Sequence, residues 1–283
     1  MPVFHFLRGE GVTTAYGVTH SVAAAAFDRV ASTYDESFTR TLIGRAQRRQ
    51  VWSRLLAAFA PGSRILELNC GTGEDAGFLV SRGRSVVACD ASEAMIAIAR
   101  QKQPQSTGAS LVYRHVANED LSPLCHEDLF DGAFSNFSGL NCLGDLKPFA
   151  QALSNLVRPQ ARVLVCLWGR LCMTELFWFL LHGQPRKAVR RFSGRATASL
   201  GALSFSVTYP SVGEIRSAFS PWFRLTSRRA VGLLVPPSYV EKSISGRHKL
   251  LARLEWLDRV FAAWPALRDC GDHTLLEFVR CNP

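Results

Sequence analysis

The residues best placed for ligand chemistry begin with Gly71-Thr72-Gly73, a turn between a predicted strand and a predicted helix. Because neither glycine has a Cβ, the backbone there can approach a ligand closely. The first N–H groups of the following helix are free to bind ligand oxygens. Asp90 ends the next predicted strand, where a carboxylate accepts hydrogen bonds from both hydroxyls of a ribose. Together these features indicate a site for an adenosine-containing cofactor.

Two classes of cofactor share this pattern, since residues 71–76 also satisfy the Gly-x-Gly-x-x-Ala fingerprint of NAD-binding folds. Glu67 argues against NAD, because dinucleotide folds usually keep an apolar residue at that place in the strand. Glu74 and Asp75 argue against it as well, because acids at the start of the helix would repel a diphosphate. A ligand with a cationic amino-acid moiety suits these acids better.

Strands and helices alternate from residue 61 to residue 169, which predicts an α/β, doubly wound and mostly parallel sheet with helices on both faces. Ligands in such sheets bind at the carboxyl ends of the strands, where Gly71 and Asp90 lie. The predicted strands of this region are 64–69, 85–89, 111–116, 130–136 and 161–168.

The chain divides into four parts by pattern. Residues 1–20 are expected to be loosely structured, residues 170–208 to be a partly helical insertion, and residues 237–264 to form one helix. The four parts are an N-terminal helical cap (1–60), a cofactor-binding core (61–169), a lid or substrate insertion (170–208) and a C-terminal completion of the sheet (209–283).

The stretch 65–83 resembles motif I of the class I S-adenosylmethionine-dependent methyltransferases and is most similar to their small-molecule, methyltransferase type 11-like branch. Residues 27–35 are similar to the N-terminal helix motif of that branch, and the resemblance extends over about residues 27–168. The sequence departs from the family pattern in two places. Asp75 replaces the usual third glycine, and Ala117-Asn118 replaces an acid often found before Glu-Asp-Leu.

This resemblance implies a Rossmann-like, mostly parallel seven-stranded sheet with N-terminal helices and a helical insertion after the fifth strand. It implies S-adenosyl-L-methionine as cofactor, with Glu67 near the methionine amino group, Asp90 on the ribose and Met95 beside the adenine. It also implies that Phe137 faces the transferred methyl and that Tyr34 closes over the cofactor. The implied cofactor-binding residues are Tyr34, Glu67, Asn69, Gly71, Thr72, Gly73, Asp90, Ala91, Met95, Ala117, Asn118, Asn136 and Phe137.

Composition bounds the class of protein. The chain has 283 residues, 47% of them hydrophobic, which is enough for a real core, and its formal net charge of +10 favours anionic partners or simply an Arg-rich surface. None of the eight cysteines has metal-ligand spacing, so no metal is expected, and several lie in apolar runs as free thiols do in a reducing compartment. The N-terminus lacks a signal-peptide pattern, so a cytoplasmic location is expected.

The acceptor of the methyl group is expected to be a small natural-product, quinone-like or lipid molecule, enclosed by the insertion and the N-terminal helices. Residues 176–181 are strongly apolar and residues 186–195 are rich in Arg. Three interpretations stay open: a lipophilic acceptor with an anionic group held by Arg, a helix that rests on a membrane through residues 173–195, or a packed lid with a solvated basic face. His182 is the candidate general base.

Two other functions are alternatives to methylation of a small molecule. The positive charge favours an RNA or protein methyltransferase, but no RNA-binding module is visible and residues 135–138 lack the Asn/Asp-Pro-Pro-Tyr/Phe motif of base-methylating enzymes, so no nucleic acid is expected. An NAD-binding oxidoreductase is the other alternative. The sequence leaves open the oligomeric state and the element (O, N, C or S) that is methylated.

Overall fold

The structure, a computed structural model, describes residues 5–7, 22–102, 108–200 and 202–282. The strands of its central sheet are β2 (Arg64–Leu68), β3 (Ser85–Asp90), β4 (Leu111–His115), β5 (Phe130–Ser135), β6 (Val157–Trp168), β9 (Phe223–Val231) and β10 (His273–Arg280). Their order in the sheet is β4-β3-β2-β5-β6-β10-β9, and β10 runs antiparallel to both of its neighbours. The mostly parallel seven-stranded sheet predicted from the sequence is confirmed.

Helices cover both faces of the sheet and give the fold three layers. The helices are α1 (Val22–Tyr34), α2 (Leu42–Ala58), α3 (Glu74–Val80), α4 (Glu93–Gln101), α5 (Leu146–Ser154), α6 (Met173–Leu181), α7 (Pro185–Ala188), α8 (Val212–Phe219), α9 (Glu241–Ile244) and α10 (His248–Phe261). Alternate residues of β2 face opposite layers: Leu66 packs with α5 and α8 on one face, while Ile65 packs with α2, α3 and α4 on the other.

A second, three-stranded sheet was not predicted. Strands β7 (Arg195–Leu200) and β8 (Leu203–Thr208) form an antiparallel hairpin at the end of the insertion, and β1 (His5–Leu7) pairs with β7. The insertion is therefore helical only in its first half. Its second half forms strands, and alternate residues of β8 pack onto α1. The prediction of loose structure for residues 1–20 is wrong at β1; its other residues lie outside the described part of the chain.

The single helix predicted over residues 237–264 is wrong. A 3₁₀ turn at Ser238–Val240 and the short α9 precede α10, and Gly246 between them has a left-handed φ of 78° that ends the helical path. The Glu241 carboxylate accepts hydrogen bonds from the first backbone N–H groups of α2, which lack partners within their own helix. This break attaches the C-terminal region to the N-terminal helices.

Within the described residues, no helix is long and apolar enough to cross a membrane. All eight cysteines are free, and five of them are buried, as their apolar sequence context predicted.

The tight packing of the sheet against α2 makes a prediction about Gly132 in β5. A Cβ at Gly132 would overlap the Phe59 ring and lie 2.9 Å from the Arg162 carbonyl oxygen, so Gly132→Ala should lower the free energy of unfolding by about 1–3 kcal/mol. Gly77 in the middle of α3 has open space at the same place, so Gly77→Ala should raise it by up to about 1 kcal/mol. Urea unfolding of both variants measures this; equal effects would contradict the packing described here.

Candidate functional site

One pocket opens at the carboxyl edge of the sheet, where β2, β3, β4 and β5 end. Helix α1 and the segment that follows it cover the pocket from above. The residues that line it are Ala23, Ala24, Phe27, Tyr34, Arg48, Asn69, Cys70, Gly71, Thr72, Glu74, Asp75, Asp90, Ala91, Met95, Asn118, Glu119, Asn136, Phe137, Gly139, Cys142 and Leu143. All of the predicted cofactor residues lie in this list except Glu67, Gly73 and Ala117.

The glycine turn between β2 and α3 forms the floor of the pocket. Gly71 has a left-handed φ of 53°, and a Cβ there would point into the pocket toward Tyr34. Gly73 is glycine for another reason, because its φ is 79° and a Cβ would overlap the Tyr113 hydroxyl. The sequence pattern alone could not separate these two roles.

Asp90 holds the turn and faces the pocket. Its carboxylate accepts hydrogen bonds from the backbone N–H of Gly71 at 2.8 Å and of Ser92 at 2.9 Å. Burial raises the pKa of Asp90, and these two hydrogen bonds oppose that rise. Each carboxylate oxygen has a second lone pair, so Asp90 can still accept hydrogen bonds from a ligand.

Glu67 lies in β2 directly beneath the turn and is 1% exposed. Its Oε2 atom is buried without a hydrogen-bond partner. Burial raises the pKa of Glu67 well above its usual range; the nearby Asp75 raises it further, while Arg48 lowers it. A buried carboxyl group without a full set of partners is costly, which marks Glu67 as a residue that awaits a ligand or ordered water.

Arg48 is a charged residue of this pocket that the sequence did not reveal, and its partner is Asp75. Asp75 stands where the family pattern has a glycine, and its carboxylate pairs with Arg48 Nη1 at 2.6 Å and accepts hydrogen bonds from Trp52 Nε1 at 2.6 Å and Asn136 Nδ2 at 2.9 Å. Arg48 also lies over the Phe137 ring, 4.8 Å from its centre. Helix α2 therefore supplies a buried cation to the pocket.

This pairing changes the electrostatic argument made from the sequence. Asp75 was expected to present a free negative charge, but Arg48 neutralises it. Glu74 is more exposed and lies 3.7 Å from Lys102. The acids at the start of α3 are thus each matched by a base, and the site contains charges of both signs.

Amide side chains connect the strand ends around the pocket. Asn69, with a left-handed φ of 59°, accepts a hydrogen bond from the Asn118 amide and donates one to the Ser135 hydroxyl. Phe137 and Ser138 are also left-handed, with φ values of 48° and 70°. Such backbone is strained for residues with a Cβ and is concentrated at functional sites.

Helix α1 and the turn after it are fixed over the pocket by two acids. Asp28 accepts hydrogen bonds from the Ser92 hydroxyl at 2.6 Å and the Ala94 N–H at 3.1 Å, at the start of α4. Asp35 accepts from the Thr72 hydroxyl at 2.5 Å and pairs with Lys102 at 2.8 Å. These contacts place Tyr34 above the glycine turn, and burial raises the pKa of its phenol to about 12, so it stays protonated.

His182, the candidate base, lies outside the pocket. It is exposed after α6, stacks on Trp178 with 4.1 Å between ring centres, and its Nδ1 lies 2.7 Å from the Trp178 carbonyl oxygen. His115, at the end of β4, is exposed as well, with Nε2 2.9 Å from the Ala91 carbonyl oxygen.

Comparison with known proteins bears on this geometry. A family model described as a methyltransferase domain matches residues 65–160. A demethylmenaquinone methyltransferase of Mycobacterium sp. (strain KMS) is 30% identical over 176 residues, which cover 60% of this chain and 70% of that protein. One of Clavibacter sepedonicus is 31% identical over 143 residues, 50% of this chain and 56% of that protein. The chain thus spans between half and two thirds of the length of several such relatives.

Solved structures show the same fold. The 1,6-didemethyltoxoflavin-N1-methyltransferase of Burkholderia thailandensis superimposes with a TM-score of 0.62 at 13% identity, covering 99% of this chain and 96% of that one. An S-adenosylmethionine-dependent methyltransferase of Mesorhizobium loti gives a TM-score of 0.50 at 19% identity, over 81% and 97% of the chains.

These findings, with the fold and the glycine turn, define the class: the chain belongs to the class I S-adenosylmethionine-dependent methyltransferases. The family resemblance read from motif I is confirmed, and S-adenosylmethionine is the cofactor of the family.

The unpartnered carboxyl group of Glu67 makes a prediction about stability. Its pKa is raised above the ordinary value of 4.5, so above that pH the folded state binds more protons than the unfolded state and stability falls as pH rises. Glu67→Gln removes this loss, so the ligand-free variant should resist urea better than the wild type at about pH 8 and equally at about pH 4. Its affinity for S-adenosylhomocysteine should fall about 10- to 100-fold.

The matched control is Glu93→Gln, which changes an exposed acid in the first turn of α4. A gain of stability at about pH 4, or the same pH profile in both variants, would show that Glu67 is not the group responsible.

Proposed function

We propose that the chain transfers a methyl group from S-adenosylmethionine to a small, quinone-like acceptor. The proposal that S-adenosylmethionine is the donor is supported by two unsatisfied polar groups near the glycine turn. Glu67 Oε2 and Arg48 Nε are both buried without a hydrogen-bond partner, and they carry opposite charges when ionised. A zwitterionic amino acid supplies an ammonium group for Glu67 and a carboxylate for Arg48.

The adenosine half of the donor fits the other end of the pocket. Asp90 retains acceptor capacity for the two ribose hydroxyls, and the apolar Met95, which is 2% exposed, offers a wall for the adenine ring. Ala91 lines the same part of the pocket, and the polar edge of the adenine would meet Asn118. The residues present therefore suit this cofactor along its whole length.

Bound S-adenosylmethionine supplies an activated methyl group, so the chain itself needs to bind, orient and exclude water. The Phe38 ring contacts the Tyr34 ring, with 5.9 Å between centres, and the Phe137 ring, with 5.0 Å between centres. These three rings form an apolar cover at the side where Arg48 lies. Asn136 Oδ1 accepts a hydrogen bond from the Phe137 N–H, which fixes the strained turn after β5.

A quinone-like acceptor is the second half of the proposal. Support comes from the relatives, which are named for demethylmenaquinone, and from the aromatic residues that surround the turn at Phe137. Methyl transfer to such an acceptor breaks the bond from methyl carbon to sulfur, joins that carbon to an oxygen or carbon of the reduced acceptor, and releases a proton.

The test of this function combines binding and turnover. S-adenosylhomocysteine should raise the melting temperature of the protein and NAD should not, because Glu67 and Arg48 suit the ammonium and carboxylate groups of an amino acid, which NAD lacks. Radiolabel from S-adenosylmethionine should appear on 1,4-naphthoquinol. A shift with NAD alone would favour an oxidoreductase, and transfer to RNA alone would favour the macromolecular alternative.

Asp90 provides a sharper test of the donor site. Asp90→Ala removes a charged acceptor for the ribose hydroxyls and should weaken S-adenosylhomocysteine binding by about 1.5–3 kcal/mol, or roughly 10- to 100-fold. Asp120→Ala, which removes an exposed acid after β4, is the matched control and should leave the affinity unchanged. Calorimetric titration measures both, and equal affinities in the two variants would refute the ribose assignment.

We also propose that the insertion contacts an anionic membrane surface through residues 173–195. Phe177 is 55% exposed, Leu181 84% and Phe192 50%, and the basic side chains of Arg186 and Lys187 between them are exposed too. Exposed apolar and basic side chains on one protruding segment are typical of interfacial binding, because apolar groups enter the lipid while cations meet the headgroups.

Vesicle flotation tests this contact. The protein should float with vesicles that contain phosphatidylglycerol and much less with pure phosphatidylcholine, because each Lys or Arg near an anionic surface contributes about 1 kcal/mol. Leu181→Asp should reduce flotation about tenfold or more, because it removes an apolar side chain that would enter the lipid and adds a negative charge like that of the headgroups. Leu129→Asp changes a leucine that is 44% exposed elsewhere and should have little effect. Equal losses in both variants would contradict the proposal.

A further inference from the structure

A second polar cluster lies on the far side of Phe137 from the glycine turn. The ring of His273, at the start of β10, contacts the Phe137 ring edge-on, with 5.4 Å between their centres. The ring of Trp168, at the end of β6, stacks on the His273 ring, with 6.0 Å between their centres. Both strands reach the same edge of the sheet as the cofactor pocket, so the cluster adjoins the place where a methyl group would be transferred.

The charges in this cluster cancel. Glu175 in α6 pairs with Arg190 at 3.0 Å and Arg191 at 2.6 Å, and Arg191 also pairs with Asp272 at 2.8 Å. Two carboxylates thus neutralise two guanidinium groups in a place where all four are largely buried. The sequence suggested these arginines as ligands for an anionic acceptor, but Glu175 and Asp272 already neutralise their charge.

The same pairing explains a grouping of metal-ligand atoms. Cys172, Glu175 and Asp272 place one ligand atom each within 4.8 Å of one another. Because the arginines already hold both carboxylates, this group is an ion-pair network that attaches the insertion to β10. The sequence could not show it, since Cys172 and Asp272 are far apart along the chain.

Several polar atoms in the cluster lack a hydrogen-bond partner. His273 is 3% exposed and Gln47 0%, and Gln47 Oε1 and the Tyr239 hydroxyl are buried without a hydrogen bond. His273 Nδ1 also makes no hydrogen bond, although it lies 3.5 Å from Asp272 Oδ2. Glu175 Oε1 and Thr274 Oγ1 share this condition. Each such atom destabilises the fold unless a ligand or ordered water meets it, so their concentration in one place marks a binding site.

The two ring-borne polar groups are neutral at physiological pH. Burial lowers the pKa of His273 to about 4, despite the neighbouring Asp272, and Arg191 lowers it further. Burial also raises the pKa of the Tyr239 phenol, as do Glu175, Asp272 and Cys172, while Arg190 opposes the rise. Neutral hydrogen-bonding groups in a cluster without net charge favour a neutral partner over an ionic one.

We propose that this cluster recognises the acceptor, and that it takes a neutral, planar aromatic molecule through a hydroxyl or carbonyl oxygen held by His273 and Tyr239. The inference rests on the proposed methyl transfer and specifies its substrate class. Planar aromatic walls support it: Phe179 stacks on Tyr239 with 5.7 Å between centres, and Trp168 on His273. An anionic acceptor is excluded from this site because no uncommitted cation faces it among the groups named above.

Phe137 lies between the cofactor pocket and the polar cluster of His273 and Tyr239, which is called the acceptor cluster below. It would therefore control how an acceptor reaches the methyl group. Its backbone and that of Ser138 are held in consecutive left-handed conformations, which the surrounding structure must stabilise. The Ser138 N–H donates to the Cys166 carbonyl oxygen at 3.0 Å, which ties this strained turn to β6. A ring held at this boundary can contact the acceptor on one side and Arg48 on the other.

The experiment uses three matched probes with the full chain saturated with S-adenosylhomocysteine: 1-naphthol, naphthalene and 1-naphthoate. Equilibrium dialysis should give the tightest binding for 1-naphthol, because only it offers a neutral oxygen to the two ring groups. Tyr239→Phe and His273→Phe should each weaken 1-naphthol binding about 5- to 100-fold and leave naphthalene binding unchanged. Two variants are needed because His273 is buried and its replacement can impair folding.

His248→Phe is the matched control, since His248 is exposed at the start of α10 and should not affect any probe. The inference is overturned if 1-naphthoate binds as tightly as 1-naphthol, if 1-naphthol does not bind, or if a folded Tyr239→Phe binds it as the wild type does. Failure of S-adenosylhomocysteine to bind would instead overturn the proposed function, so the two failures are distinguishable.

Discussion

The buried ion pair between Arg48 and Asp75 is the interaction on which the pocket depends. It joins α2 to the start of α3, and the hydrogen bonds from Trp52 and Asn136 extend it to the strand end at β5. Removing two charges from water is expensive, and the cost is offset only when the geometry is good and the remaining polar atoms are paired. Asp75 meets these conditions, so losing either partner would leave an uncompensated charge in the pocket.

This pair also sets the electrostatic state of Glu67. Without a ligand, Glu67 faces Asp75 and lacks a partner, so it favours the protonated form. An ammonium group placed beside it would favour ionisation, so donor binding is coupled to the loss of a proton. Arg48 pairs with Asp75 but keeps Nε without a hydrogen-bond partner, so in the proposed complex it would also bind the carboxylate of the ligand.

The sequence predicted the central sheet, the glycine turn and Asp90 because each follows from local pattern: hydrophobic strands, glycines at a turn and an acid at a strand end. Arg48 could not be found this way, since it lies in a run of arginines in α2 that reads as a solvated helix face. The β7–β8 hairpin and the break before α10 depend on contacts with α1 and α2. His273 and Tyr239 meet Glu175 only through the tertiary fold.

The insertion has two faces of different chemistry that could not be distinguished from its sequence. Its exposed face is apolar and basic, while its inner face is bound to β10 by a neutral set of ion pairs. Because the arginines of the inner face are committed, only those of the outer face, such as Arg186, remain for partners. In the two proposals above, the outer face would contact an anionic membrane surface and the inner face would support recognition of an uncharged acceptor.

The position of β10 between β6 and β9 determines how β9 is held in the sheet. His273 pairs with Trp168 on one side and with Val231 on the other, so β9 is hydrogen-bonded to the sheet only through β10. These contacts are distant along the chain, and closing such long loops slows folding. The residues that line the cofactor pocket all lie between Ala23 and Leu143, whereas the proposed acceptor cluster includes His273 at the start of this late strand. The proposed acceptor site therefore depends on a C-terminal strand that contributes no residue to the lining of the donor pocket.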